Sequence, residues 1–179
     1  MNRTGNVYGR SLYLLASEEG LEEQILQELS VLESVFAQEP DYLKLLSARN
    51  LPKQERLDVL QESFGGKVHT YVLNFLKLLT EKGYMTHFLD CCRAYREQYN
   101  EEKGILQVNV VSAVALSQEQ KQKLTEKLTA MTGKQVFLVC REDPTVLGGI
   151  RLAYDGIEVD GTVQNRLQAV EKTLRNTVL

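Results

Sequence analysis

Residues 144–163 read Pro144-Thr145-Val146-Leu147-Gly148-Gly149-Ile150-Arg151-Leu152-Ala153-Tyr154-Asp155-Gly156-Ile157-Glu158-Val159-Asp160-Gly161-Thr162-Val163. A glycine pair opens an apolar run with strand character from Gly149 to Tyr154. Asp155-Gly156 are the residues a two-residue hairpin turn selects, because both of its central positions need positive φ. Ile157 to Val159 returns as a second strand. Val163, Leu167, Val170 and Leu174 then recur at helical spacing and predict an amphipathic closing helix. The glycine pair is not a phosphate loop. It feeds a strand where such loops feed a helix N-terminus, and neither the Walker spacing nor the dinucleotide fingerprint is present. It reads as a bulge or a close approach of two backbones.

Upstream of this hairpin, Leu106, Val108 and Val110 alternate with Gln107 and Asn109, the period-two signature of a strand. Ser117-Gln118-Glu119-Gln120 spells a capping box, and Leu124, Leu128 and Met131 give the helix behind it an apolar face that stops at Gly133. Val136 to Cys140 is rich in strand formers. From Gly104 onward the expected order is β-α-β-β-β-α.

Before Gly104 the period is helical throughout. Val7, Tyr8, Leu12 and Leu15 mark an opening helix that ends near Gly20. Leu21, Ile25, Leu29, Leu32 and Phe36 then share one helix face, with Glu22, Glu23, Gln27 and Glu33 on the solvent side. A short apolar element runs from Tyr42 to Leu46. Pro52 suits the first turn of the next helix, which carries Leu57, Leu60 and Phe64 and closes at Gly65-Gly66. Val68, Val72, Phe75, Leu76 and Leu79 form the most apolar helix, and Phe88, Leu89, Cys92, Tyr95 and Tyr99 belong to the last. The fold class is α+β in two domains: a six-helix antiparallel bundle over residues 1–104 and a small α/β domain over residues 105–179.

A length of 179 residues accommodates two small domains, and 43% hydrophobic with 25% charged residues is ordinary for a globular protein. Apolar runs stay short of the roughly 18 residues a membrane span requires, so direct membrane insertion is not expected. The Met1–Asn6 stretch has no signal-peptide pattern. Three cysteines, two of them adjacent, argue against a disulfide framework, and all three are expected to be small buried apolar residues. Residues 1–104 carry 12 basic and 16 acidic side chains, a net of −4, and residues 105–179 carry 9 and 8, a net of +1. Neither half has the basic excess of a nucleic-acid binder.

Chemistry-bearing patterns are sparse. His69 and His87 are 18 residues apart on separate elements, and both are expected on solvated helix faces. A metal site needs three or four convergent ligands, and none is expected here. Cys92 and His87 lie about 140° apart around one helix and do not form a nucleophile pair. Glu22-Glu23 and Glu101-Glu102 are neighbours on polar faces, unlike a general acid–base pair. Tyr95, Arg96 and Tyr99 make no RNA-binding run. No catalytic residue and no cofactor is expected. An enzyme with a site between domains would need a convergent acid, base and nucleophile.

Several fragments, in their order and spacing, carry a resemblance. They are Val7-Tyr8-Gly9-Arg10-Ser11-Leu12-Tyr13, then Asn74-Phe75-Leu76-Lys77-Leu78-Leu79 with Lys82-Gly83. Asp143-Pro144 through Leu152, Asp155-Gly156, Asp160-Gly161-Thr162-Val163 and Arg166-Leu167 follow. Together they resemble the bacterial-type delta subunit of the F-type ATP synthase, the family that includes the mitochondrial oligomycin-sensitivity-conferring protein. Gly9 and Ser11 stand where that family more often has Ala. The resemblance implies a non-catalytic stator subunit, one copy per complex, peripheral on the cytoplasmic face of the cell membrane. It implies that residues 1–104 receive the N-terminal helices of alpha subunits, and that residues 105–179 receive the C-terminal ends of the b-subunit stalk.

On that reading, Tyr8, Leu12 and Leu15 of the opening helix line a groove with Val72, Phe75, Leu76 and Leu79, since the Phe75 helix is apolar on more than one side. The alternative for each is plain bundle core. Gly148, Gly149, Ile150, Arg151, Asp160 and Gly161 are expected near the stalk contact, with backbone geometry and domain core as the alternative. The competing function is a free-standing adaptor that binds amphipathic partner helices.

Overall fold

The structure is a computed structural model and describes residues 3–48, 51–146, 148–154 and 156–162. Its described residues form an α+β fold of seven α-helices, one 3-10 turn and a four-stranded mixed sheet. The chain divides into two compact units, Met1–Tyr99 and Asn100–Leu179, so the division falls within the last turn of the helix Phe88–Glu102, slightly before Gly104.

The first unit holds α1 (Arg3–Glu18), α2 (Glu22–Gln38), α3 (Pro40–Ser47), α4 (Lys53–Phe64), α5 (Thr70–Lys82), a 3-10 turn (Met85–His87) and α6 (Phe88–Glu102). Ile25, Leu29, Leu32 and Phe36 of α2 are buried, as their spacing predicts. Phe36 sits among three rings: Tyr42 stacked at 5.8 Å, Phe64 edge-on at 6.1 Å and Phe88 edge-on at 4.9 Å. That cluster joins α2, α3, α4 and α6 through large, geometrically selective surfaces. Tyr95 of α6 is edge-on to Tyr13 at 5.4 Å and donates its hydroxyl to the Glu22 carbonyl at 2.9 Å, which ties α6 to the start of α2.

Several boundaries differ from the sequence reading. Pro52 is the N-cap of α4, and Lys53 begins the helix. His69 is not on a helix face. It caps α5: its Nδ1 accepts from the Tyr71 N–H at 3.3 Å, and its own N–H donates to Glu28 Oε2 at 2.7 Å. His87 belongs to the 3-10 turn, off the helix that carries Cys92. Glu33 does not simply face water but is half-buried and paired with Arg96 of α6. The helical period alone could not see these partners, which come from other elements.

In the second unit, β1 (Ile105–Ser112) buries Leu106, Val108, Val110 and Ser112 on one face and turns Gln107 and Asn109 outward. The capping box forms as spelled: Ser117 Oγ accepts from the Gln120 N–H at 3.2 Å, and Gln120 Oε1 accepts from the Ser117 N–H at 2.9 Å. It starts α7 (Gln118–Thr132), whose Leu128 is buried and Leu124 half-buried. Met131 is 75% exposed, because the buried stripe ends at Leu128, one turn before the helix does. The chain returns as β2 (Gln135–Glu142), parallel to β1, then as β3 (Ile150–Tyr154) and β4 (Ile157–Asp160), each antiparallel to its neighbour. The sheet order is β2-β1-β3-β4. Tyr154 pairs with Ile157 across the hairpin, and Gly156 has φ 76°, as the turn dipeptide requires. The closing helix expected from Val163 to Leu174 lies outside the described residues.

Candidate docking surfaces

The seven residues predicted to line the helical groove separate into two groups. Leu12, Val72, Phe75, Leu76 and Leu79 are buried in the core of the first unit, with no partner chain needed to cover them. Tyr8 is half-buried, edge-on to Tyr84 at 5.8 Å, and Leu15 is exposed. The reason lies in the placement of α5. It touches α1, α2, α4 and the 3-10 turn, so both of its apolar sides are covered from within the chain. Leu78 is the exposed large apolar residue left on it.

Open apolar surface lies instead on α1. Val7 is 57% exposed, Leu14 60% and Leu15 40%. Val7, Ser11 and Leu14 follow at helical spacing on the side opposite Gly5, Gly9, Leu12 and Ala16, all four of them buried. The inward side is set by a close helix approach. A Cβ on Gly5 would lie 2.4 Å from Asp90 Cβ, and one on Gly9 would lie 2.2 Å from the Cys91 carbonyl oxygen. With backbones that near, α1 can turn only its glycine face to α6, and its remaining leucines point out. Val7 and Leu14 were missed at the sequence level. The available signal was Gly5-x-x-x-Gly9 on a helix that is apolar around most of its circumference.

In the second unit, the residues singled out around the glycine pair serve the chain's own backbone. Gly148 has φ 100° and Gly149 φ 84°. A Cβ on Gly149 would lie 2.5 Å from the Gly161 carbonyl oxygen and 2.8 Å from Thr162 Cα. The Gly161 N–H donates to the Ile150 carbonyl at 3.0 Å, which closes the end of the hairpin. Ile150 packs half-buried against the core. Arg151 and Asp160 are cross-strand partners, with Nε 3.5 Å from Oδ2. Asp143 and Asp160 each hold a threonine two residues on. In both cases Oδ1 accepts the backbone N–H at 2.9 Å and the hydroxyl at 2.6 Å. The threonine hydroxyl bond, then the backbone bond, hold both carboxyls below the usual carboxylate range, and Arg151 adds to this.

Gly149→Val forces a β-branched residue to positive φ and against a backbone carbonyl, and is expected to cost about 2–3 kcal/mol. A denaturant titration followed by tryptophan-free far-ultraviolet dichroism checks it. Wild-type stability in that variant would show that the close approach is dispensable.

The exposed apolar residues of this unit lie elsewhere. Phe137 (58% exposed) and Val139 pair in register with Gln107 and Asn109, on the sheet face turned away from the buried Val108 and Val110. β2 is an edge strand. Ile157 and Val159 of β4 are exposed as well.

Cys91 and Cys92 are buried, whereas Cys140 is exposed on β2, contrary to the expectation that all three are interior. Among the described residues its strand lies at the edge of the sheet, with β1 as its one strand neighbour. Burial, with Asp90 adding, pushes the Cys91 thiol up to about 12, and burial likewise raises Cys92. One fast thiol is therefore expected when the native protein meets iodoacetamide, and all three after unfolding. Fast labelling that persists in Cys140→Ser would refute this.

Among the described residues no group of three or more His, Cys, Asp and Glu side chains could hold a metal ion, and no helix is long and apolar enough to cross a membrane. The described residues define a two-unit α+β protein with open apolar side chains on α1 and on the sheet. Residues 5–174 match the family model for the ATP synthase delta (OSCP) subunit. The chain is 31% identical over 167 residues to ATP synthase subunit delta of Symbiobacterium thermophilum, covering 93% of this chain and 90% of that one. It is 30% identical to the Enterococcus faecalis subunit delta, covering 95% and 94%. A chain of the Toxoplasma gondii mitochondrial ATP synthase hexamer shares the fold at a TM-score of 0.77 and 18% identity, covering 97% of this chain and 98% of that one. The chain belongs to the ATP synthase delta (OSCP) subunit family.

Proposed function

We propose that this chain is the non-catalytic stator subunit of an F-type ATP synthase, which links the catalytic head to the peripheral stalk so that rotation is coupled to ATP synthesis. Residues 1–104, as an antiparallel six-helix bundle, receive the N-terminal helices of alpha subunits. Residues 105–179 receive the C-terminal ends of the b subunits. One copy serves each complex, peripheral on the cytoplasmic face of the cell membrane, without nucleic acid and without inserting into the bilayer.

The observation that carries the reading is the open stripe Val7, Leu14 and Leu15 on α1, since apolar residues aligned along an exposed helix face are what an amphipathic helix packs against. The docking residues of the first unit are therefore Val7, Leu14 and Leu15, with Tyr8 and Leu78 at the border. Phe137 and Val139 take the corresponding role in the second unit, supported by their exposure on an edge strand.

Val7→Asp combined with Leu14→Asp is expected to leave helicity and melting close to wild type, because both side chains already face water. Retention of alpha subunit in a pull-down from solubilised membranes should fall at least tenfold, the equivalent of about 1.4 kcal/mol. Unchanged co-purification of alpha and b subunits with a folded double variant would defeat the assignment.

A further inference from the structure

The charges on α1 run against its own dipole. Helices gain from acidic groups in the first turn and basic groups in the last. α1 has no acidic residue in its first turn and no basic residue in its last. It carries Arg3 at its start and Arg10 at its middle, and Glu18 at its end is followed by Glu19. All four are exposed, and none of them takes part in an ion pair among the described residues. Tyr8 packs on Tyr84, which sets the first half of α1 beside the C-terminal end of α5, where Lys82 is also exposed. The open stripe Val7–Leu14 thus runs from a basic end, marked by Arg3 and Lys82 with Arg10 following at mid-helix, to an acidic end, marked by Glu18 and Glu19. A local arrangement that works against the helix bearing it points to a use outside that helix.

We infer that this stripe selects a partner helix of ordinary charge order, with carboxylates in its first turns and Lys or Arg in its last, and docks it parallel to α1. Such a helix complements its own dipole. Laid parallel to α1, its acidic start meets Arg3 and Lys82, and its basic end meets Glu18 and Glu19. Laid antiparallel, it sets like charges against each other at both ends. The apolar contacts of Val7 and Leu14 hold the partner in either direction, so direction rests with the charges. This rests on the reading of α1 as a docking face given above, and it adds the charge order and polarity of what docks there.

Two synthetic amphipathic peptides of identical composition test it against the full-length chain. One has acidic first turns and basic last turns, and the other has the reverse. Calorimetry is expected to show that the acidic-first peptide binds about tenfold more tightly at low salt, with the gap closing as salt is raised. A spin label at the N-terminus of that peptide should broaden amide signals around Arg3 and leave those around Glu19 sharp. In the chain carrying Arg3→Glu, Arg10→Glu, Glu18→Lys and Glu19→Lys, the preference should invert while the melting temperature holds or rises, because the charges now suit the dipole. Equal binding of the two peptides to the wild-type chain, or broadening at Glu19, overturns the inference and leaves the docking face standing. If neither peptide binds the wild-type chain, the docking face falls and the inference with it.

Discussion

Gly9→Val is expected to cost about 3–4 kcal/mol and to lower the melting temperature of the helical unit by more than about 10 °C. Glycine inside a helix is normally a weakness worth about 1 kcal/mol relative to Ala. α1 carries two, Gly5 and Gly9, one turn apart on its buried side. The gain is proximity. A Cβ at residue 9 would fall 2.2 Å from the Cys91 carbonyl oxygen, 2.8 Å from Ala94 Cβ and 3.0 Å from the Cys91 carbonyl carbon. Backbone cannot step aside as a flexible side chain can, so α1 would have to lift off α6. Leu12, Tyr13 and Ala16, buried on the same side of α1, would lose contact as it did. Ser11→Ala is the control, since Ser11 is exposed and its hydroxyl donates only to the Val7 carbonyl of its own helix. Urea denaturation followed by circular dichroism reads both. A Gly9→Val chain as stable as wild type would mean that α1 and α6 do not approach this closely.

The second large effect concerns Phe75. Phe75→Asp is expected to unfold most of the first unit, at a cost of at least about 4 kcal/mol, because it removes an aromatic ring from the core and leaves a carboxylate in its place. Phe75 is 6% exposed and packs in the same cluster as Leu12, Leu76 and Leu79. Leu14→Asp, at a residue 60% exposed, is expected to change stability by no more than about 0.5 kcal/mol. The pair separates folding from docking. Loss of helicity belongs to Phe75, and loss of the partner with helicity kept belongs to Leu14. If Phe75→Asp folds normally, α5 is not central and the groove predicted from sequence regains its case.

The helical period of α2, the capping box of α7, the alternation in β1 and the Asp155-Gly156 hairpin were all legible before any coordinate, because each is written in residues close together along the chain. The open apolar surface was not. The sequence shows that α1 and α5 are both apolar on more than one side, and a helix period does not say how many neighbours a helix has. α5 has neighbours on most of its circumference, so its hydrophobic residues are core except Leu78. α1 lies over α6 through Gly5 and Gly9, and its second apolar side faces water. The glycine pair was legible in its physical reading. Gly148-Gly149 reads from sequence as a bulge or a close approach of two backbones, and the Gly161 backbone passes so near Gly149 that a Cβ there would lie 2.5 Å from its carbonyl oxygen.

The same division holds for the polar residues. Ser117 and Gln120 could be paired from sequence because a capping box is local. Glu33 with Arg96, Glu28 with the His69 backbone and Tyr95 with the Glu22 carbonyl connect positions far apart in the chain, and nothing in local spacing announces them.

Sequence alone determined, among the described residues, which segments are helix and strand and where the two kinds of structure change over, since these depend on period, caps and turn residues that neighbours along the chain supply. Only the tertiary structure decided which apolar residues are interior and which remain exposed. Burial depends on what lies across from a side chain, and for α1 that was settled by how closely two glycines let another helix approach.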